Sequence, residues 1–239
     1  MPAGGLLELR GVCQGDAVEN PEASMQALLF RPKSIQQGVH TMQYPLNLGG
    51  KYKRRKLAEF AASVKSMNYA EIKNVDVANG PGVRVSLFVS GCTHHCPGCF
   101  NPETWDFAYG TEFGEAEIEK ILALLAPDYI EGLTILGGEP FEPQNQETVL
   151  KLVKRVRKEL PGKSIWCFTG YIYEGLADDK MGEYSRELLQ QLDVLVDGPF
   201  VLKMKDLKLK FRGSSNQRII DVPASLRAGK AVLAGKYMV

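Results

Sequence analysis

No run of apolar residues in this chain approaches the roughly 18 that a membrane-spanning helix requires, so the sequence offers no membrane segment. Net charge is almost absent, at +1 over 239 residues, which removes the broad basic field expected of a nucleic-acid binder. Cysteine is scarce and odd in number, five in all, with three of them between positions 92 and 99. Such a set fits metal binding in a reducing compartment, the cytoplasm, and not a disulfide framework. Histidine is scarcer still: His40 stands alone and only His94 and His95 lie near the cysteines. No second C-x2-C or H-x3-H pair follows, so a structural zinc site lacks its usual partner ligands. A secretory signal is missing too, because Leu6-Leu7 is far too short for an apolar core, and the acidic, serine-poor beginning argues against a transit peptide.

What is present suits one soluble domain with an appendage, with 44% apolar and 24% charged residues. Charge is unevenly spread. Residues 1–66 hold nine basic against five acidic residues, about +4, which leaves about −3 for the remainder. That segment lacks sustained periodicity beyond a short candidate helix at Lys56–Val64, and it reads as a mostly disordered extension with order beginning at Met67. Lys53–Lys56 reads as a solvated charge run.

The most informative residues are Cys92, Cys96 and Cys99, spaced C-x3-C-x2-C. Thiolates select iron–sulfur clusters, zinc or Cu(I). A [4Fe–4S] cluster is ordinarily held by four cysteines, and this loop offers three, so one iron would stay open to an outside ligand. That suits catalysis better than electron transfer. Gly91 and Gly98 relieve backbone crowding and Pro97 stiffens the loop. The alternative from spacing alone is a zinc knot completed by His94, His95 or a distant residue.

Around this loop the sequence alternates between strand and helix. Val83–Val89 reads as a strand entering the cysteine loop after the turn Asn79–Gly82. Ile118, Ile121, Leu122 and Leu125 mark one helix face, ended by Pro127. Leu133–Leu136 reads as a buried strand running into Gly137-Gly138-Glu139-Pro140. Val149, Leu152, Val153, Val156 and Leu160 mark a second helix, stopped by Pro161-Gly162. Ser164–Phe168 and Asp193–Val196 are further strands around a helical stretch at Leu188–Leu192. This order predicts an α/β fold with a parallel curved sheet, helices outside, and too few units for a closed eight-stranded barrel. Ligands in such folds bind at the carboxyl ends of the strands. The cysteine loop, Gly137–Pro140, Thr169–Tyr171 and Asp197-Gly198 should therefore line one site. Cys167 reads as a buried small hydrophobe.

The cysteine triplet after a first strand and the later Gly-Gly-Glu-Pro resemble the radical S-adenosylmethionine (SAM) superfamily. Asn79-Gly80-Pro81-Gly82-Val83-Arg84 matches the turn of activating enzymes for glycyl-radical proteins. Phe168–Tyr171, Val194–Gly198 and Arg212–Arg218 narrow the resemblance to activators of anaerobic ribonucleoside-triphosphate reductase. The likeness runs from about Asn68 to Asp221. Many superfamily members carry an aromatic just before the last cysteine, where this chain has Gly98; that departure agrees with the reductase activators and not with the pyruvate formate-lyase type.

The resemblance implies a partial (β/α) barrel over residues 67–223, with 224–239 as a tail. It implies a [4Fe–4S] cluster on Cys92, Cys96 and Cys99, with SAM on the open iron. Gly137 and Gly138 would approach its methionine end and Glu139 would accept from its ammonium group, unless it merely caps the strand. Gly98, Cys99 and Phe100 would meet the adenine. The implied reaction makes a 5′-deoxyadenosyl radical and installs a glycyl radical on the large subunit of the anaerobic reductase, in a two-plus-two assembly. Reduced flavodoxin would be the electron donor. Asp197 reads as a turn cap or a SAM contact, Arg212 and Arg218 as contacts to a partner or a carboxylate, and His94 and His95 as residues behind the ligands. Another glycyl-radical target and a zinc-stabilised adaptor without chemistry are the competing readings.

Overall fold

The computed structural model describes residues 66–237. The sequence-predicted helix at 56–64 lies outside them, as does all of the expected extension but Ser66. Seven strands are formed: β1 Asn68–Asp76, β2 Val83–Val89, β3 Thr111–Glu112, β4 Ile130–Gly137, β5 Ser164–Phe168, β6 Val194–Asp197 and β7 Arg218–Asp221. They make one sheet in the order β3-β1-β2-β4-β5-β6-β7. The central strands β2, β4, β5 and β6 run parallel. Antiparallel β1 and β3 flank one side and β7 the other. The sheet does not close: β3 and β7 are its two edges.

Five helices accompany it, α1 Glu115–Leu125, α2 Pro143–Glu159, α3 Tyr173–Ala177, α4 Ser185–Leu189 and α5 Val222–Ala228. α1 buries Ile118, Ile121, Leu122 and Leu125, the stripe expected from its spacing. α2 begins at Pro143, well before its first periodic apolar residue, Val149. Its first turns are buried by polar bonds instead. Asn145 Nδ2 donates to the carbonyls of Ser90 and Glu139 (both 2.9 Å), and Gln146 Nε2 donates to those of Phe141 and Met181 (2.7 and 2.8 Å).

Successive strand residues point to opposite sheet faces, and the two faces differ in kind. Val85, Leu87, Val89, Leu133, Ile135, Ile165, Cys167, Leu195 and Ile220 join the apolar residues of α1 and α2 in one buried cluster. The alternate residues Trp166, Val194, Val196 and Ile219 form a separate cluster with Ala234, against which Phe168, Phe211 and Tyr237 pack. Arg84 shares their parity. Its side chain is 0% exposed, donating to Thr134 Oγ1 (2.7 Å), Ser164 Oγ (2.9 Å), and the carbonyls of Leu133 (2.8 Å) and Ser164 (3.0 Å). Its guanidinium also stacks over the Trp166 ring at 5.6 Å. Burial lowers its pKa to about 10, so it stays charged at neutral pH.

Of the residues after Pro223, to which the sequence assigned no element, Ala231 packs against the helix-side cluster and Ala234 and Tyr237 against the Trp166 cluster. Asp221 caps α5 by accepting from the Ala224 amide, Pro223 occupies the first turn, and Gly229 ends the helix in the left-handed conformation. The chain then returns to set Tyr237 against Trp166, ring centres 4.8 Å apart.

Candidate cluster and cofactor site

The cysteine loop leaves β2 at Ser90 and is fastened by backbone bonds. Gly91 N donates to Thr104 O (2.8 Å) and Cys92 N to Trp105 O (3.1 Å). The end of β4 runs beneath it: Gly138 N donates to Val89 O (2.7 Å) and Glu139 N to Gly91 O (2.8 Å). A Cβ on Gly138 would stand 2.6 Å from Gly91 O and 2.9 Å from Thr104 O, so glycine is required by the closeness of two backbones.

Glu139 is 1% exposed and both its oxygens are engaged. Oε1 accepts from Phe141 N and Thr169 Oγ1 (both 2.8 Å), and Oε2 accepts from Gly170 N (2.7 Å) and faces His94 Nε2 (3.1 Å). One carboxylate thus ties the end of β4, the end of β5 and the cysteine loop together. Glu142, also buried, accepts from Thr93 N (2.7 Å) and Thr93 Oγ1 (2.6 Å). Together the two acids hold Thr93 and His94, which stand between Cys92 and Cys96. The sequence reading missed Glu142, Thr93 and Asn145; the available signal was a second acid three residues beyond Glu139, at the start of a helix. The Glu139 bond is the chief cause of a raised His94 pKa. Burial pushes the Cys92 thiol up to about 11 and the Cys96 thiol in the same direction.

All three thiols are free; Cys92 is buried, and Cys96 and Cys99 are partly exposed. They line one cavity of about 660 Å³ that also takes in Phe100, Gly137, Gly138 and Glu139. Thr169, Gly170 and Gly198 contribute from the next two strand ends, so the loops expected to share a site do share it. Gly98 lies behind, where a Cβ would meet Leu202 Cδ1 at 2.9 Å. Phe100 is 60% exposed and edges onto Phe200 at 5.5 Å. Among the described residues no three Cys, His, Asp or Glu side chains converge on a single ion. His94 is turned to Glu139, and His95 packs on Trp105 at 4.8 Å. Three free thiols on one cavity wall are soft donors of the kind that iron–sulfur clusters take.

Other singled-out residues fall elsewhere. Asp197 is buried and accepts from Tyr173 N (2.8 Å) at the start of α3, and from Arg218 Nε (2.9 Å) and Nη2 (2.5 Å). Arg218 continues to Glu174 at 2.9 Å, and these acids, Asp197 foremost, raise its pKa. Neither residue lines the cavity. Arg212 does; its Nη1 donates to Gln217 O (2.8 Å), while its buried Nε has no partner among the described residues. Cys167 is buried on the helix side, and burial raises its pKa well above the ordinary thiol value.

Residues 78–220 match the family model of the 4Fe–4S single cluster domain. The anaerobic ribonucleoside-triphosphate reductase-activating protein of Escherichia coli K12 is 45% identical over 153 residues, 63% of this chain and 96% of that protein. Its namesake in Vibrio cholerae is 44% identical over 155 residues, 64% and 97%. That of phage T4 is 41% identical over 153 residues, 64% and 93%. The chain belongs to this family of reductase-activating proteins. The matched 4Fe–4S segment takes in all three loop cysteines, both bracing acids and every lining residue of the cavity but Lys73. α5 and Tyr237 lie past its end.

Proposed function

We propose that the chain is a radical SAM activating enzyme for anaerobic ribonucleoside-triphosphate reductase. Cys92, Cys96 and Cys99 would hold the [4Fe–4S] cluster and leave one iron for SAM. Bound there, cluster and SAM would together supply one-electron reductive cleavage of SAM, the chemistry by which a glycyl radical would be installed on the reductase. The chain's own work is placement and exclusion of water. Gly137 and Gly138 offer bare backbone to the methionine end, and Glu139 braces that wall from beneath with both oxygens already engaged. Cys99 and Phe100 would border the adenine end, with Gly98 behind them against Leu202. Arg212 offers its unpartnered Nε to a carboxylate.

The observation that carries this reading is the convergence of three free thiols and two glycine strand ends on one cavity, with His94 engaged elsewhere. The relatives named for activating the anaerobic reductase support the choice of target. The curved sheet then serves as a partial barrel over residues 67–223. Reduced flavodoxin as donor, a two-plus-two assembly with the reductase large subunit and a cytoplasmic location complete the reading on the strength of family resemblance. No helix of the described residues is long and apolar enough to cross a membrane. Anaerobic reconstitution with iron and sulfide should give brown protein with about four irons per chain. Addition of SAM, dithionite and the reductase should then give a glycyl signal by electron paramagnetic resonance. A colourless protein holding one tight zinc would overturn the reading.

A further inference from the structure

A radical made inside a cavity reaches only atoms brought into contact with it, so a protein substrate must lay a segment of its own chain across the mouth. Part of that mouth is bordered by residues 199–217, between β6 and β7, and this border differs from the rest of the molecule. It carries Lys203, Lys205, Lys208, Lys210 and Arg212 against a single acid, Asp206, in a chain whose overall charge is +1. Every residue from Leu202 to Lys208 is exposed. Among them Leu207 is 85% exposed, and Leu202 and Met204 are exposed as well. Asp206, Leu207, Leu209 and Arg212 line the cavity itself, so the rim that carries the lysines is continuous with the site. Lys205 Nζ lies 4.9 Å from the centre of the Phe100 ring and brings positive charge to the opening.

These side chains are not needed to shape the loop. Its turns are held by main-chain bonds and by polar side chains other than the lysines: Ser215 N to Met204 O (3.0 Å), Met204 N to Val201 O (2.8 Å), Val201 N to Ser214 Oγ (3.2 Å), Lys208 N to Asp206 Oδ1 (2.9 Å) and Gly213 N to Gln217 Oε1 (2.8 Å). Among the described residues none of the four lysines forms an ion pair. Four like charges grouped around exposed leucine and methionine repel one another and leave apolar surface wet. A complementary acidic and apolar surface relieves both.

We propose that this lysine-rich rim docks an acidic, apolar-bearing segment of the reductase and steers it over the cavity, an inference that rests on the function proposed above. The test uses reconstituted full-length protein and the reductase, comparing wild type with K203E/K208E/K210E. All three side chains are exposed and lie outside the cavity lining. The variant should associate about ten-fold or more slowly at low ionic strength and lose the wild type's salt dependence. SAM cleavage driven by dithionite without reductase should stay unchanged. The neutral variant K203A/K208A/K210A should fall between the two and guards against a misfolded charge reversal. Equal association and equal salt dependence in wild type and either folded variant overturn the docking rim alone. A wild type that cleaves SAM but neither binds the reductase nor yields a glycyl signal overturns the functional reading, and the rim with it.

Discussion

The two faces of the one sheet are built from alternate residues of the same short strands, yet they follow different rules. On the helix side β2, β4, β5 and β6 present Leu87, Ile135, Ile165 and Leu195 to α1 and α2, and the cluster they form is apolar throughout. On the other side the same strands present Arg84, Thr134, Trp166 and Val196, and beyond them opens the cavity. A period of two lets a strand of five residues hold the fold together with one set of side chains and shape a site with the other. Damage to one face should therefore leave the other's property in place.

The sharpest way to break that separation is Cys96→Ala. Iron bound on reconstitution, measured by iron analysis and visible absorbance, should fall nearly to zero. The melting temperature of the cluster-free protein should hardly move, because the thiol is partly exposed and outside both apolar clusters. A collapsed melting transition would join the faces. Leu152→Ala on α2 is the converse experiment. Leu152 is fully buried on the helix side, so urea unfolding should report a loss of about 2–5 kcal/mol while iron per folded chain holds.

Smaller effects sharpen the boundary at the cysteine loop. Glu142→Gln keeps the shape of the acceptor for Thr93 but removes its charge, at about 1 kcal/mol in urea unfolding, and cluster release to a chelator should quicken. The smallest effect concerns the His94–Glu139 pair. The folded pKa of His94 is raised above the free value, so its contribution is complete below about pH 6.5 and fades as pH rises through the folded pKa. Melting of the cluster-free protein across that window should show the decline, and His94→Gln should flatten it. A decline that survives the substitution would assign it to another group.

The helix side was the legible side. Ile118, Ile121, Leu122 and Leu125, or Val149, Leu152, Val153 and Val156, announce their face by spacing, because each meets the same apolar layer. β1 made no such announcement: it buries only Asp76, is irregular in its pairing with β2, and carries little apolar alternation. β7, with only Arg218–Asp221, was too short to show a period. α5 had signals that could have found it, Asp221 as cap, Pro223 in the first turn and Gly229 at the end. At the site, the cysteine spacing and the glycine pair were readable because their chemistry is local. Arg84, Glu142 and Asn145 were not, since each has a partner some fifty residues away in sequence. For Asp197 and Arg218 the sequence left alternatives open, and the structure has Asp197 capping α3 at Tyr173 N while Arg218 pairs with the Asp197 and Glu174 carboxylates.

Only two tryptophans occur in the chain, and both belong to the open face: Trp105 on the cavity wall against His95, and Trp166 on the floor beneath Tyr237 and beside Arg84. Tryptophan emission, excited at wavelengths that tyrosine and phenylalanine do not absorb, therefore comes from the cavity side of the sheet alone. A dye-free optical experiment would watch the cavity fill while the helix layer stays dark.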